Sequence, residues 1–318
     1  MQAEVNPRVS VIIASHRSDY ILRCVAAFGP HVWETVHTEI IVVADYPVEE
    51  YAERFPEILW LFHPDISIPA KRNAGVRRAR GDIIAFIDDD CRPGERWISR
   101  AVDFLDNHPE VCGVEGMTRV ETPAESPGPS FGQFKRLEQQ GYRTNNIFYR
   151  RSVIYSAGMF DERFTVQRED LDLAFTLLTR GYAIAYHESL EVVHSYRTGE
   201  RWDLLKNCAR RRFDPLLHRK HPALYRRHVK SPFPPGILTL CACYCATAAV
   251  GIFGRHAVLL LLLVDTVMIL ILTARRCRGA APAMVQWIRE CIAYALSPVV
   301  LCAALMYGNV RFRTFLII

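Results

Sequence analysis

Gly81–Pro93 reads GDIIAFIDDDCRP, an apolar run of strand length that ends on three consecutive aspartates, Asp88, Asp89 and Asp90. A run that is apolar at every position reads as a strand covered on both faces. In open α/β sheets the ligand site lies beyond the carboxyl ends of the strands, so the acidic tip stands where a bound ligand would be. The preceding sequence has the same character. Val9–Ser15 (VSVIIAS) is a short β-branched run, and Ser18–Phe28 (SDYILRCVAAF) has helical spacing with a cap at Ser18 or Asp19. Thr38–Asp45 (TEIIVVAD) is a second buried strand that also ends on a carboxylate, and Pro69–Gly81 (PAKRNAGVRRARG) is a helix leading into the third. Strand, helix, strand, helix, strand describes an α/β domain with a parallel sheet and right-handed crossovers.

Further along, Arg119–Gly132 (RVETPAESPGPSFG) is rich in Pro, Gly and Ser and reads as a connection beside the site. Asn145–Phe164 reads as an extended run, a short helix and a turn. Arg168–Tyr182 (REDLDLAFTLLTRGY) predicts a helix with Leu171, Phe175 and Leu178 on one face and Gly181 closing it. Ala183–Tyr196 (AIAYHESLEVVHSY) predicts a closing pair of short strands.

At 318 residues the chain exceeds the usual single domain, and its composition divides it. The sequence is mixed and charged up to about Pro235 and sharply apolar from Gly236. The expected organisation is a catalytic domain over 1–200, a basic juxtamembrane segment over 201–235 and a membrane region over 236–318. The basic run CARRRFDPLLHRKHPALYRRHVK, ending at Lys230, suits a collar facing anionic cytoplasmic lipid, with a solvated basic helix as the plainer reading. Gly236–Gly254 and Ala257–Ala274 are each about the length that crosses a bilayer core, and the Arg275–Arg278 cluster returns positive charge to the collar's side. Asp265, inside the second stretch, is expected to face a partner helix, or Arg255 or His256. Met284–Val310, interrupted by Pro298, reads as an amphipathic helix followed by a third span or a re-entrant segment.

The net charge of +5 is small for this length and does not point to nucleic acid. The ten cysteines form no CxxC framework, which favours reduced thiols over a zinc site. The first residues, MQAEVNPRVS, lack a basic n-region followed by an apolar stretch, so the catalytic part is expected on the cytoplasmic side of a membrane.

The chemistry is read from the strand tips. Asp88 and Asp90 offer hard oxygen ligands of the kind that Mg²⁺ or Mn²⁺ takes together with phosphate oxygens and water. Lys71 and Arg72, in the preceding helix, are placed to reach diphosphate oxygens.

Four motifs, VSVIIASHRSDYILRCVAAF, EIIVVAD, KRNAGVRRARGDIIAFIDDDCRP and NNIFYRRSVIYSAGMFDERFTVQREDLDLAFTLLTRGY, resemble in order and spacing a family 2 glycosyltransferase of the GT-A fold over residues 9–197. The resemblance implies a nucleotide-sugar site and a set of roles. Asp88-Asp89-Asp90 looks like the family's D-x-D element, with Asp90 as metal ligand and Asp88 contacting ribose or metal. Asp45 is similar to the acid that recognises the base, although Ala44 replaces the usual first acid and Tyr46-Pro47 replaces a small turn. Arg72 matches the basic residue near the diphosphate, Ser15 and His16 fall where the base is cradled, and His194 falls where relatives carry a histidine close to diphosphate or metal. Glu169-Asp170 resembles the E-D pair, in which Asp170 would be the general base and Glu169 would position it or the acceptor. Arg201-Trp202 resembles the acceptor-binding R-W pair of processive relatives, but Thr198 stands where their glutamine precedes it, which disfavours polymerisation.

The resulting expectation is an inverting, metal-dependent glycosyltransferase at the cytoplasmic membrane face, moving a sugar from a nucleotide donor to a hydroxyl acceptor, lipid-linked or glycan. A polyprenyl-phosphate sugar synthase, in which a phosphate attacks and needs little base, and a non-catalytic GT-A-like membrane scaffold are the alternatives.

Overall fold

The computed structural model describes residues 6–16, 18–29, 36–122, 127–196, 201–250, 255–280 and 282–315. The chain divides into two compact units, residues 1–121 with 135–196, and residues 122–134 with 197–318.

The first unit is built on an eight-stranded mixed sheet. Its strands are β1 (Val9–Ser15), β2 (Thr38–Ala44), β3 (Leu59–Phe62), β4 (Ile83–Ile87), β5 (Cys91–Pro93), β6 (Val111–Val120), β7 (Asn146–Arg150) and β8 (Ala183–His194). They lie in the order β3-β2-β1-β4-β7-β6-β8-β5. β3, β2, β1 and β4 run parallel, as do β6 and β8, while β7 is antiparallel to β4 and β6, and β5 is antiparallel to β8. Helices α1 (Ser18–Ala26), α2 (Glu49–Arg54), α3 (Ile68–Arg78), α4 (Trp97–Asn107), α5 (Arg151–Ala157) and α6 (Glu169–Thr179) complete the unit.

The apolar strands are explained by two cores. Val11, Ile13, Val42, Ala85, Ile87 and Phe148 point to one face, where they meet Ile21 of α1 and Trp97, Ile98 and Leu105 of α4. Ile12, Ile41, Val43, Ile84, Phe86 and Ile147 point to the other, where they meet Val76 of α3, Val153 and Ile154 of α5, and Leu173 and Leu177 of α6. Successive residues of a strand face opposite sides, so a sheet covered twice needs apolar residues at every position.

The structure corrects the sequence reading in three places. A short helix and a four-residue strand, α2 and β3, stand between β2 and α3, so the acidic strand is the fourth rather than the third. Ala183–His194 is one long strand rather than a pair. It joins β6 in two register blocks, Ala183–His187 against Val111–Gly116 and Val192–His194 against Thr118–Val120, with an irregularity between Gly116 and Thr118. On α6 the buried apolar residues are Leu173, Ala174, Phe175 and Leu177, whereas Leu171 and Leu178 are half-buried. Glu169 and Asp172 share the buried stripe with Leu173 and Leu177, and a count of apolar spacing alone leaves them out. Gly181 does follow the helix end with φ of 85°, in the left-handed region that glycine favours.

The second unit contains the helices α7 (Asp203–Arg210), α8 (Asp214–Lys220), α9 (Pro222–His228), α10 (Pro235–Val250), α11 (Arg255–Arg276) and α12 (Met284–Arg311). Val258–Arg276 and Met284–Arg311 are long and apolar enough to cross a membrane by length and composition. The described part of the first expected span, α10, has 16 residues, and 251–254 lie outside the described residues. Pro298 does not interrupt α12, contrary to the sequence reading. Proline removes an amide donor and frees the carbonyl four residues earlier, and the Ser297 hydroxyl donates to that carbonyl, of Tyr294, at 2.8 Å. Asp265 accepts a hydrogen bond from the Thr247 hydroxyl at 3.0 Å, so it faces α10 as expected of a buried acid. The side chains of Arg255 and His256 lie outside the described residues.

The β6–β8 irregularity provides a test of the fold. A Cβ added at Gly116 would stand 2.1 Å from the Leu190 carbonyl oxygen and 2.6 Å from Asn146 Nδ2. Gly116→Ala is expected to destabilise the first unit by about 1–3 kcal/mol, seen as a lowered thermal midpoint, because backbone cannot yield as a side chain does. An unchanged midpoint would contradict this packing.

Candidate active site

The parallel strands bring their carboxyl ends together. Ser15 and Ala44 are register partners at the ends of β1 and β2, and Asp45 and Asp88 each follow a strand end directly. Arg72, on the α3 face turned toward these ends, is 5% exposed. Its Nη1 donates to Glu169 Oε1 at 2.8 Å and its Nη2 donates to Asp88 Oδ1 at 3.0 Å. One guanidinium thus joins the acidic strand tip to the start of α6. Burial opposes the charge on Arg72, but Asp88 and Glu169 outweigh it and hold the group above its ordinary value. The next residue secures the geometry: Asn73 Nδ2 donates to the Phe160 carbonyl at 2.9 Å and to Glu162 at 2.8 Å, and accepts from the Phe160 amide at 3.0 Å.

A second cluster forms at β1 and β2. Lys71 is fully buried, and its Nζ donates to the Ser15 carbonyl at 2.8 Å and to Asp45 at 3.1 Å. It therefore holds two strand ends together, where the sequence reading had it reaching for diphosphate. Asp45 also meets His16 Nδ1 at 2.6 Å. Burial raises the Asp45 carboxyl, but the bonds from His16 and Lys71 prevail and its value is lowered. The middle aspartate of the tip, Asp89, accepts from the Ser15 hydroxyl at 2.8 Å and the His16 amide at 3.2 Å, so it ties β4 to β1. Burial and the charge of Asp90 push it up to about 6.

The third aspartate turns the other way. Asp90 is buried, with its carboxylate 3.4 Å from His194 Nε2. Cys91 and His194 are partners in the antiparallel β5–β8 pair, and their side-chain donors lie with that of Asp90 within 4.8 Å of one another. His194 Nδ1 stands 3.0 Å from the Ser195 carbonyl, an acceptor, so Nδ1 carries the proton and Nε2 presents a lone pair to Asp90. A carboxylate and an imidazole lone pair facing each other suit a cation between them, so the donor set fits a divalent metal ion. Asp88 is held by Arg72, on the other side of the tip.

At the head of α6, Glu169 is buried and its Oε2 has no hydrogen-bond partner among the described residues. Asp170 is partly exposed, and its Oδ1 accepts from the Leu171 amide at 2.7 Å. Burial raises both carboxyls, and the charge of Asp170 adds to the rise at Glu169. Arg168 precedes them with φ of 81°, a left-handed conformation that is strained for a residue with a side chain.

All the expected residues of the first unit, Ser15, Asp45, Arg72, Asp88, Asp89, Asp90, Glu169, Asp170 and His194, are thereby placed. Arg201 and Trp202 belong to the second unit, in an exposed turn before α7, and Thr198 lies outside the described residues. The sequence reading missed Asn73 and Cys91 as members of the constellation, along with the Lys71–Asp45 pair. None carries a local signal, because their partners are distant in the chain.

The Arg72 bridge yields a pH-dependent test. Glu169 and Asp170 hold protons more tightly folded than unfolded, so their contribution favours the fold in acid and is lost as pH rises through the folded value. Arg72→Met is expected to cost about 3–5 kcal/mol at about pH 8 and less at about pH 5, where protonation relieves the stranded carboxylates. Thermal unfolding at the two pH values measures it, and an equal loss at both would contradict the bridge.

The sequence signature of the family described as glycosyl transferase family 2 matches residues 10–164. Glycosyltransferase AglE of Haloferax volcanii is 26% identical over 213 residues, covering 60% of this chain and 68% of that protein. A glucosyl-dolichyl phosphate glucuronosyltransferase of the same organism is 23% identical over 229 residues, covering 61% of this chain and 72% of that protein. The fold matches that of mannosyltransferase PcManGT from Pyrobaculum calidifontis, solved in complex with GDP-Man and Mn²⁺, with a TM-score of 0.56 over 93% of this chain and 88% of that one, at 17% identity. With the mixed sheet, its flanking helices and these likenesses together, the chain belongs to glycosyl transferase family 2 and is a glycosyltransferase of the GT-A fold.

Proposed function

We propose that the chain transfers a sugar from a nucleotide-diphosphate donor to a hydroxyl acceptor in one inverting step, in the cleft at the carboxyl ends of the first unit's strands. The observation that carries this is the Arg72 bridge, which joins the Asp88 tip, where a donor would bind, to the Glu169-Asp170 pair.

The roles follow from chemistry. Ser15 and Asp45 line the strand ends where the nucleotide lies, with Asp88 on the ribose side and Asp89 supporting the loop. Asp90 and His194 would hold a divalent cation, Mg²⁺ or Mn²⁺, which supplies positive charge to the departing diphosphate. Arg72 adds a fixed cation beside it, aimed where negative charge grows. Asp170 takes the acceptor's hydroxyl proton as its oxygen bonds to the anomeric carbon, and the bond from that carbon to the diphosphate oxygen breaks on the opposite side. Burial supports this role, because a carboxyl held above its usual range is a stronger base near neutral pH. Glu169, gripped by Arg72, fixes the head of α6 and so the direction of Asp170.

The acceptor is proposed to be lipid-linked. One relative is named for a glucosyl-dolichyl phosphate substrate, and two helices of this chain are long and apolar enough to cross a membrane. Residues 1–200 would carry catalysis, 201–235 the basic collar and 236–318 the anchor, with the catalytic part on the cytoplasmic face and Arg201-Trp202 near the acceptor. A single base and direct attack favour one transfer per binding event over polymerisation.

Two measurements test the reading. Asp170→Asn is expected to reduce transfer roughly 100- to 10,000-fold while the fold is retained. Near-normal turnover would remove the base and leave the alternative of a phosphate nucleophile. A panel of nucleoside diphosphates with Mn²⁺ is expected to raise the thermal midpoint of the wild type for one base, and Asp90→Ala is expected to abolish that rise. No rise with any nucleotide would favour a non-catalytic scaffold.

A further inference from the structure

The second unit buries cationic groups that the transfer chemistry does not use. Arg276, on the last turn of α11, has a side chain only 7% exposed, and its Nε donates to Glu290 Oε2 of α12 at 2.8 Å. That bond leaves its Nη2 buried without a hydrogen-bond partner among the described residues. On α12, Arg289 precedes Glu290, and its Nε is likewise buried without a partner. One turn before Arg276, the fully buried Thr273 also has a hydroxyl without one. From α7, Cys208 lies close enough for its thiol to feel Arg211 and Arg276, which oppose the rise to about 11 that burial imposes.

Charge accounting shows what is missing. Arg211 is paired with Asp214 at 3.0 Å, and Arg276 with Glu290. Arg289 then leaves the group one positive charge in excess, with guanidinium donors already removed from water. Buried charged donors are rarely left unsatisfied, and a phosphate, with several acceptor oxygens and negative charge, satisfies several at once. The location says what carries it. These arginines stand at the end of one helix apolar enough to cross a membrane and near the start of another. The outward residues of α11, among them Leu259, Leu263, Val267 and Ile271, are exposed and suited to acyl chains. Charge returning where an apolar span ends is the position of a headgroup.

We propose that Arg276 and Arg289 form a site for the phosphate group of a membrane lipid, separate from the nucleotide-sugar cleft. The site rests on the membrane attachment proposed above but not on the transfer reaction, and its test reads binding without turnover.

The full chain, purified in a neutral detergent, is titrated with short-chain phosphatidic acid, with phosphatidylcholine of the same chains, and with inorganic phosphate, while the thermal midpoint is followed. Phosphatidic acid is expected to raise the midpoint saturably, and phosphatidylcholine to leave it unchanged. Arg289→Gln preserves the Arg276–Glu290 pair and is expected to weaken the phosphatidic acid response by roughly 10-fold, as loss of one charge-assisted hydrogen bond implies. Equal responses to the two lipids, or an undiminished response in Arg289→Gln, would overturn the site. An equal rise with inorganic phosphate at the same concentration would overturn its assignment to a lipid. Unchanged nucleotide-dependent stabilisation in Arg289→Gln is expected in every case, which separates failure of this site from failure of the transfer reading.

Discussion

The first unit depends on a buried guanidinium shared between two carboxylates. Arg72 donates one arm to Glu169 and the other to Asp88, and nothing else among the printed contacts connects the tip of β4 to the head of α6 so directly. Arginine is suited to this because its planar fork presents two donors at fixed spacing and stays charged when buried, whereas a lysine ammonium is a single point that loses its proton more readily. Asn73 reinforces the arrangement from the adjacent position by fixing the turn at Phe160–Glu162, which leads toward α6. The same short stretch of α3 also supplies Lys71 to Asp45. Three successive side chains of one helix therefore organise the ends of β1, β2 and β4 and the acidic helix.

The electrostatics of the cleft follow from that arrangement. Several carboxylates are crowded at the strand ends, and burial drives Asp89, Glu169 and Asp170 upward. Such a collection is poorly satisfied by the protein alone and well suited to a cation and a diphosphate arriving together. The three aspartates of the tip divide the work by direction: Asp88 toward Arg72, Asp89 toward Ser15 and Asp90 toward His194. The division reflects the chain leaving β4 and turning into β5, whose antiparallel pairing sets Cys91 beside His194.

Much of this is legible in the sequence because parallel strands buried on both faces advertise themselves as apolar runs, and polar residues at their ends then stand out. The strands β1, β2 and β4, the acidic tip and the Glu169-Asp170 helix are all visible in that way. What escapes has a physical reason in each case. β3 has four residues, too few for a pattern, and β8 hides its irregularity because both register blocks come from one continuous segment. The buried stripe of α6 includes Glu169 and Asp172, which apolar periodicity ignores. Lys71 and Arg72 are neighbours in sequence with the same charge, and only tertiary structure sends one to Asp45 and the other to Glu169. In the second unit, Pro298 reads as a break, yet the serine before it restores the lost hydrogen bond.

The central claim is that the acid tip and the acidic helix form one metal- and nucleotide-binding cleft held by Arg72. Co-crystallisation with Mn²⁺ and the stabilising nucleoside diphosphate, followed by an anomalous difference map at the manganese edge, tests it most directly. The account requires a peak bonded to Asp90 and His194, the diphosphate against it, and Arg72 still in contact with Glu169. A peak elsewhere on the chain, or a nucleotide bound with Asp90 and Glu169 facing separate surfaces, would contradict it.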